Sequence, residues 1–240
     1  LIIKEINTTQ VTKDIWISIY SELVQMSLIK HPFILETIGA SFNPPYRMIT
    51  RFCKGQTLFD LIHDDRSNNT NTNKVNPTFL NQSKAKFSNM QLTKIAYQIA
   101  DGMMFLHSNG IAHCDLNSSN IIIDDNGIAK ITNFCLSGMI FTKNYNKNEN
   151  NLFSSKPISH ILIGNIGNPN YMAPEVLEKK KFGQKSDIYS YGIILWEMAM
   201  KQIPFKGMSY RSIYDHVVSK NKRLPITIPI SDELTKLINL

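Results

Sequence analysis

Cysteine is scarce. The 240 residues hold three, Cys53, Cys114 and Cys135, far apart and with no pair at metal-ligand spacing. This argues against a disulfide framework and against a zinc site, and favours a reducing, intracellular and cytoplasmic setting. Long apolar runs are also missing. The longest candidate, Ile188 to Met200, is broken by Ser, Gly and Glu, short of the roughly 18 unbroken residues of a membrane span. No span is expected in this segment, while a flanking membrane domain is left open. The start has neither an initiator Met nor a charged, apolar and small-residue succession, so the expectation is no signal peptide and a chain that begins inside a longer protein. Clustered charge is lacking too. The formal net charge is +7, but the densest basic run is Lys179, Lys180 and Lys181, which reads as a solvated turn, and no nucleic-acid partner is expected.

What is present is enough apolar material, 42% of residues, for a sizeable core in one two-lobed domain. Asparagine is abundant, 24 of 240 residues. It concentrates in stretches without apolar periodicity, and residues 64–90 and 139–163 read as flexible surface insertions. "LIIKEI" reads as a strand and residues 14 to 30 as a helix. Extended runs around Phe33 to Phe42 and Tyr46 to Phe52 flank the turn "NPP", giving a small β-rich lobe over residues 1–53. Beyond it, over 54–240, "TLFDLIHD" and "QLTKIAYQIADGMMFLHSNG" have helical spacing, with Leu92, Ile95, Ala96, Ile99, Met103 and Leu106 on one face and Gly110 as the stop. "NIIID" and "IAKIT" form a hairpin through "DNG". "SDIYSYGIILWEMAM" is apolar on nearly every face, the pattern of a helix inside a larger helical body.

The chemistry concentrates in "HCDLNSSNIIIDDNGIAKITNFCLS", residues 113 to 137. An Asp preceded by a His, an Asn five residues on, a hairpin, and a polar residue 13 positions beyond that Asn form a demanding arrangement. It resembles the catalytic and metal-binding loops of the protein kinases. Lys4, Glu22 with "HP" nine residues later, "YMAPE" at 171–175 and "SDIYSYGIILWEM" add landmarks in the family's order. The resemblance spans essentially the whole chain and is nearest the tyrosine-kinase-like group, mostly Ser/Thr kinases. It implies an α+β, bilobal kinase fold truncated at both ends, with a small β-rich N-lobe lacking the Gly-rich loop and a larger, mainly helical C-lobe lacking its last helices. It also implies ATP and Mg²⁺ as cofactors and a protein substrate or protein partner.

Residue by residue, the resemblance implies that Lys4 holds the α- and β-phosphates and that Glu22 holds Lys4. Asp115 orients and deprotonates the acceptor hydroxyl, and Asn120 binds one Mg²⁺. Adenine sits beneath Thr50 to Cys53, with Thr50 at the back of the pocket, the backbone of Arg51 and Cys53 as partners, and Ile122 under the ring. Asp187 anchors the catalytic loop from below, Phe134 packs under the helix bearing Glu22, and Glu175 would pair with an Arg in a late helix that lies beyond Leu240, so that pair is not expected here. Singly, a Lys in a strand or a Glu on a helix is usually just solvated; the joint spacing inverts that.

The departures cluster on the phosphate. Asn133 stands where the family has the metal-gripping Asp, an oxygen without its charge. At about 4 Å and an effective dielectric near 20, a unit charge against a dication is worth roughly 8 kcal/mol before desolvation, and half of that amounts to about three orders of magnitude in rate. Asn117 replaces a Lys that reaches the γ-phosphate, and Asn168 a Thr that bonds both that Lys and the catalytic Asp. Cys135 replaces a Gly, Cys114 the Arg that reads activation-loop phosphorylation, and Ile2 the small Ala roofing adenine. Three phosphate-handling positions, all Asn in an Asn-rich chain, read as drift at positions no longer constrained. Two functions follow as expectations: a protein kinase with weak or lost Ser/Thr transfer, or a pseudokinase acting as scaffold or binding module.

Overall fold

The computed structural model describes residues 1–5, 27–28, 30–41, 43, 45, 47–63, 89–133, 167–178 and 183–238, with the backbone alone at 4, 5 and 89. Most of the expected 14–30 helix, including Glu22, lies outside these residues, as do Phe134, Cys135, residues 64–88 and the 139–163 insertion.

The first lobe is a three-stranded antiparallel sheet in the order β1 (Ile2–Glu5), β3 (Arg47–Thr50), β2 (Thr37–Ala40). Its register sets Ile2 opposite Thr50 and Lys4 opposite Met48. Directly opposed residues share a face of the sheet, so the residue expected to roof adenine and the one expected behind it lie side by side. Met48 on this face is buried.

The second lobe opens with β4 (Gly55–Thr57) and α1 (Leu58–His63). The long helix α2 (Asn89–Ser108) follows, beginning at two residues expected to close the first insertion. The predicted stripe is the buried one, with Ile95, Ile99, Met103 and Leu106 in the core. The helix ends as its Gly stop signal implies. Gly110 has φ 74°, its N–H reaches His107 O at 3.0 Å and Ile111 N reaches Leu106 O at 2.9 Å. This pair of bonds is a Schellman termination, which wants glycine at the left-handed position.

The predicted hairpin is β5 (Ile121–Asp124) and β6 (Ala129–Ile131), antiparallel, with β4 on its other edge. Asp124 Oδ1 accepts the N–H groups of Asn126 (2.9 Å) and Ile128 (2.8 Å) across the turn. Strand β6 also joins the lobes. Leu35 N donates to Ile131 O and Ile131 N to Phe33 O, both at 2.8 Å. Helix α2 approaches this seam at Gly102, where a Cβ would lie 2.7 Å from Ile131 Cδ1.

After α3 (Pro174–Leu177), α4 (Gln184–Met200) runs through the centre. Residues Gly192 to Met198 are all buried, as the all-round apolar pattern requires. Helices α5 (Tyr210–Tyr214), continuing as a π turn to Ser219, and α6 (Asp232–Ile238) complete the described C-lobe. No helix among the described residues is long and apolar enough to cross a membrane.

Candidate functional site

The Schellman stop on α2 releases the chain into the loop His113–Asn120, which ends in a 3-10 turn (Ser118–Asn120) and enters β5. Leu116 and Ile121, nearly or wholly buried, pin its ends to the core. From below it is held by Asp187, in the first turn of α4. Oδ2 accepts His113 N at 2.7 Å and the His107 ring at 2.9 Å, and Oδ1 accepts Cys114 N at 2.9 Å. A carboxylate at a helix start is favoured by the helix dipole, and here it satisfies two backbone donors that burial hides from water. The sharp turn puts Cys114 at φ 68°. The Cys114 side chain packs with Ala173 and Val176, and Sγ lies 3.5 Å from Ala112 O.

His113 is wholly buried. Nε2 meets Thr132 O at 3.0 Å and Nδ1 meets Asp115 N at 3.3 Å. A carbonyl needs a donor and an amide N–H an acceptor, so the ring is the neutral tautomer protonated on Nε2. Burial pushes its pKa below the ordinary value, against the opposing pull of Asp187 and Asp115. With both nitrogens used, His113 is a strut between the loop and Thr132.

Asp115 is the centre of the site. Its Oδ1 accepts Asn117 Nδ2 at 3.0 Å and Asn168 N at 3.4 Å, and its Oδ2 accepts Asn120 Nδ2 at 2.9 Å. Both side-chain amides also donate to Asp115 O, at 2.9 and 2.8 Å. Beyond Asn120, Asn133 Nδ2 donates to Asn120 Oδ1 at 2.7 Å. Gly167, at φ 97°, passes so close that a Cβ there would sit 3.1 Å from Asp115 Oδ1. Thus Asp115, Asn117, Asn120, Asn133 and the backbone of Asn168 form one continuous network.

The asparagines also have local hydrogen-bonding partners. Asn117 donates to Asp115 and, through Oδ1, caps the 3-10 turn at Ser119 N (3.1 Å). Asn168 caps the next 3-10 turn at Asn170 N (3.1 Å) and reaches Asp115 only through its backbone. Short amide side chains satisfy nearby backbone groups in this way. Asn117 and Asn168 thus each have a defined hydrogen-bonding role.

The donor set does not fit Mg²⁺. A hard dication wants several oxygens, with carboxylate among them. Here the Asn120 oxygen is taken by an N–H, and Asn133 presents that N–H towards it. Among the described residues no group of three His, Cys, Asp or Glu side chains is placed to hold a metal.

The expected adenine residues are brought only partly together. Arg51 N is used by Glu36 O at 3.0 Å, so only its carbonyl can serve a ligand; its guanidinium pairs with Glu36. A cavity of about 700 Å³ takes in Arg51 and Cys53, along with Lys30, His31 and Asp124, but neither Thr50 nor Ile122. Burial raises the Cys53 thiol pKa, with nearby Asp124 adding to it. Glu175, with no Arg partner expected in this segment, accepts Ser186 Oγ at 2.6 Å. The positions of the Lys4 and Glu22 side chains lie outside the described residues.

A second cluster was not expected from the sequence. Glu197, fully buried in α4, accepts from His63 (2.8 Å), Tyr171 OH (2.9 Å) and Ser118 Oγ (3.1 Å). It ties α1 and the turn before α3 to the underside of the loop between Asp115 and Asn120. Burial raises its carboxyl pKa, only partly offset by those hydrogen bonds. The one sequence signal was a Glu in the otherwise apolar run "ILWEMAM".

Comparisons with known proteins agree with this geometry. The profile of the family described as "Protein tyrosine and serine/threonine kinase" matches residues 1–240. The serine/threonine-protein kinase STY46 of Arabidopsis thaliana is 27% identical over 98% of this chain and 35% of its own length. The serine/threonine/tyrosine-protein kinase HT1 of the same plant is 31% identical over 91% of this chain and 48% of its own. A probable serine/threonine-protein kinase of Dictyostelium discoideum is 32% identical over 90% of this chain and 20% of its own. The chain thus spans less than half the length of these relatives. With the family profile covering every residue, and with Asp115 and Asn120 joined in one loop over Asp187, the chain belongs to the protein tyrosine and serine/threonine kinase family.

Proposed function

We propose that this chain is a kinase-fold signalling module of Ser/Thr lineage in which ATP-dependent transfer to protein hydroxyls is weak or lost, leaving protein binding as its main role. The observation that carries this reading is the shell of Asp115. Its carboxylate is met by neutral N–H donors from Asn117, Asn120 and residue 168, and no Lys or Arg among the described residues pairs with it. Phosphoryl transfer depends on fixed charge around the moving phosphoryl group. In this reading the positions beside that group, 117 and 133, are amides.

In this reading Thr50, Arg51, Cys53 and Ile122 form the adenine side of a nucleotide pocket, with Lys4 and Glu22 on its phosphate side. Asp115 and Asn120 lie on its acceptor side, where any transfer that remains is too slow to set wild type apart from Asp115→Asn. An active Ser/Thr kinase is the second reading. It is favoured by one observation: Asn120 still braces Asp115 through both its main-chain and side-chain oxygens. Transfer of labelled phosphate from ATP to a generic protein acceptor, with Asp115→Asn alongside, separates the two. The proposal expects wild type and variant to be alike; robust transfer lost in the variant establishes the second reading.

A further inference from the structure

The asparagines fix one another's orientation. Towards Asn120, Asp115 offers two acceptors, its main-chain oxygen and Oδ2, at 2.8 and 2.9 Å from Nδ2. The Asn120 amide nitrogen must therefore face Asp115, which turns Oδ1 away. At Oδ1 the next group is Asn133 Nδ2, 2.7 Å off. A carboxylate at 133 could offer only another oxygen, and two acceptors at that distance repel unless a cation lies between them. An amide there closes the contact with its own N–H. The backbone agrees, since Asn133 sits at φ 59°, a left-handed conformation that Asn and Asp adopt more readily than other side chains.

From this contact we propose that the Asn133 amide takes the bridging place of a divalent cation, so that the site is complete without metal and accepts a nucleotide in metal-free form. The proposal rests on the kinase-derived reading of the site given above. It adds a specific chemical requirement: cation indifference is built by one hydrogen bond and is reversed by one substitution. Asn133→Asp removes the donor and sets two oxygens face to face, creating a demand for a cation. Asn133→Ala removes the donor without adding charge and creates none.

The test uses the full chain, ¹⁵N-labelled, with Mn²⁺ as a paramagnetic probe, alone and with ADP. The Asn120 side-chain NH₂ signal is identified by its loss in Asn120→Ala. In the wild type this signal keeps its intensity on Mn²⁺ addition, and ADP affinity by calorimetry differs less than about twofold between EDTA and excess Mg²⁺. In Asn133→Asp, Mn²⁺ broadens the signal and ADP binds about tenfold or more tightly with the cation, the scale of a unit charge meeting a dication in a polar site. Asn133→Ala gains no Mn²⁺ response. Mn²⁺ broadening of Asn120 in the wild type overturns the proposal, as does a folded Asn133→Asp that stays indifferent to Mn²⁺. If ADP does not bind the wild type in EDTA, the proposal is overturned as well. Phosphate transfer by a wild type still indifferent to Mn²⁺ removes the weak-transfer reading and leaves this one standing.

Discussion

Replacing Asp187 with Ala removes the support of the loop His113–Asn120, and the structure sets the size of the effect. The side chain is 2% exposed and accepts three hydrogen bonds, from His113 N, Cys114 N and the His107 ring. The His113 donor is buried and the Cys114 donor half-buried, and each buried donor left unmade costs about 1–3 kcal/mol. The His107 ring is partly exposed and can turn to solvent, so it adds little. Asp187→Ala therefore costs about 2–6 kcal/mol, a large fraction of the roughly 5–15 kcal/mol that stabilises a typical domain. Asp187→Asn keeps one acceptor oxygen and costs about half as much. Urea unfolding followed by tryptophan fluorescence measures both, since Trp196 is buried in the same helix. An Asp187→Ala midpoint within experimental error of wild type, at unchanged slope, refutes the reasoning.

Other outcomes follow from the same geometry. Neutral His113 contributes stability that is complete above its ordinary pKa of about 6.5 and is lost as pH falls towards its depressed folded value, because the unfolded chain then binds the extra proton. The slope reaches at most about 1.4 kcal/mol per pH unit, read as the urea midpoint against pH. Glu197 works with the opposite sign. Its folded pKa is raised, so its contribution is complete below about 4.3 and lost as pH rises through the folded value. Glu197→Gln removes that loss, and the stability difference between wild type and variant shrinks with rising pH. Gly167→Ala forces a side chain into a φ of 97° and against Asp115; it costs about 1–2 kcal/mol in thermal unfolding, with no loss expected from Gly39→Ala, where a Cβ meets nothing within 4 Å.

The elements most legible in the sequence are those whose signal is local and periodic. Helix α2 showed its buried stripe and its stop because Ile95, Ile99, Met103 and Leu106 repeat at helical spacing and Gly110 takes the left-handed turn. The β5–β6 hairpin was legible in Asp124 to Gly127, where side chain and glycine set the turn. The loop order His113, Asp115, Asn120 and the support by Asp187 were readable from spacing along a known family pattern. Glu197 was not, because its partner His63 lies 134 residues away and only tertiary packing joins them. The capping roles of Asn117 and Asn168 were not legible for a different reason. Their compositional background suggested drift, whereas capping depends on local backbone angles that the sequence does not display.

The most direct test of the central claim is single-turnover transfer of labelled γ-phosphate to a protein acceptor by the full-length protein. Wild type, Asp115→Asn and the double variant Asn117→Lys with Asn133→Asp are measured side by side. The account predicts that wild type and Asp115→Asn are indistinguishable, and that the double variant, with a cation and a carboxylate restored beside Asp115, transfers faster by about two to three orders of magnitude. A wild-type rate that already matches the double variant and vanishes in Asp115→Asn would contradict it.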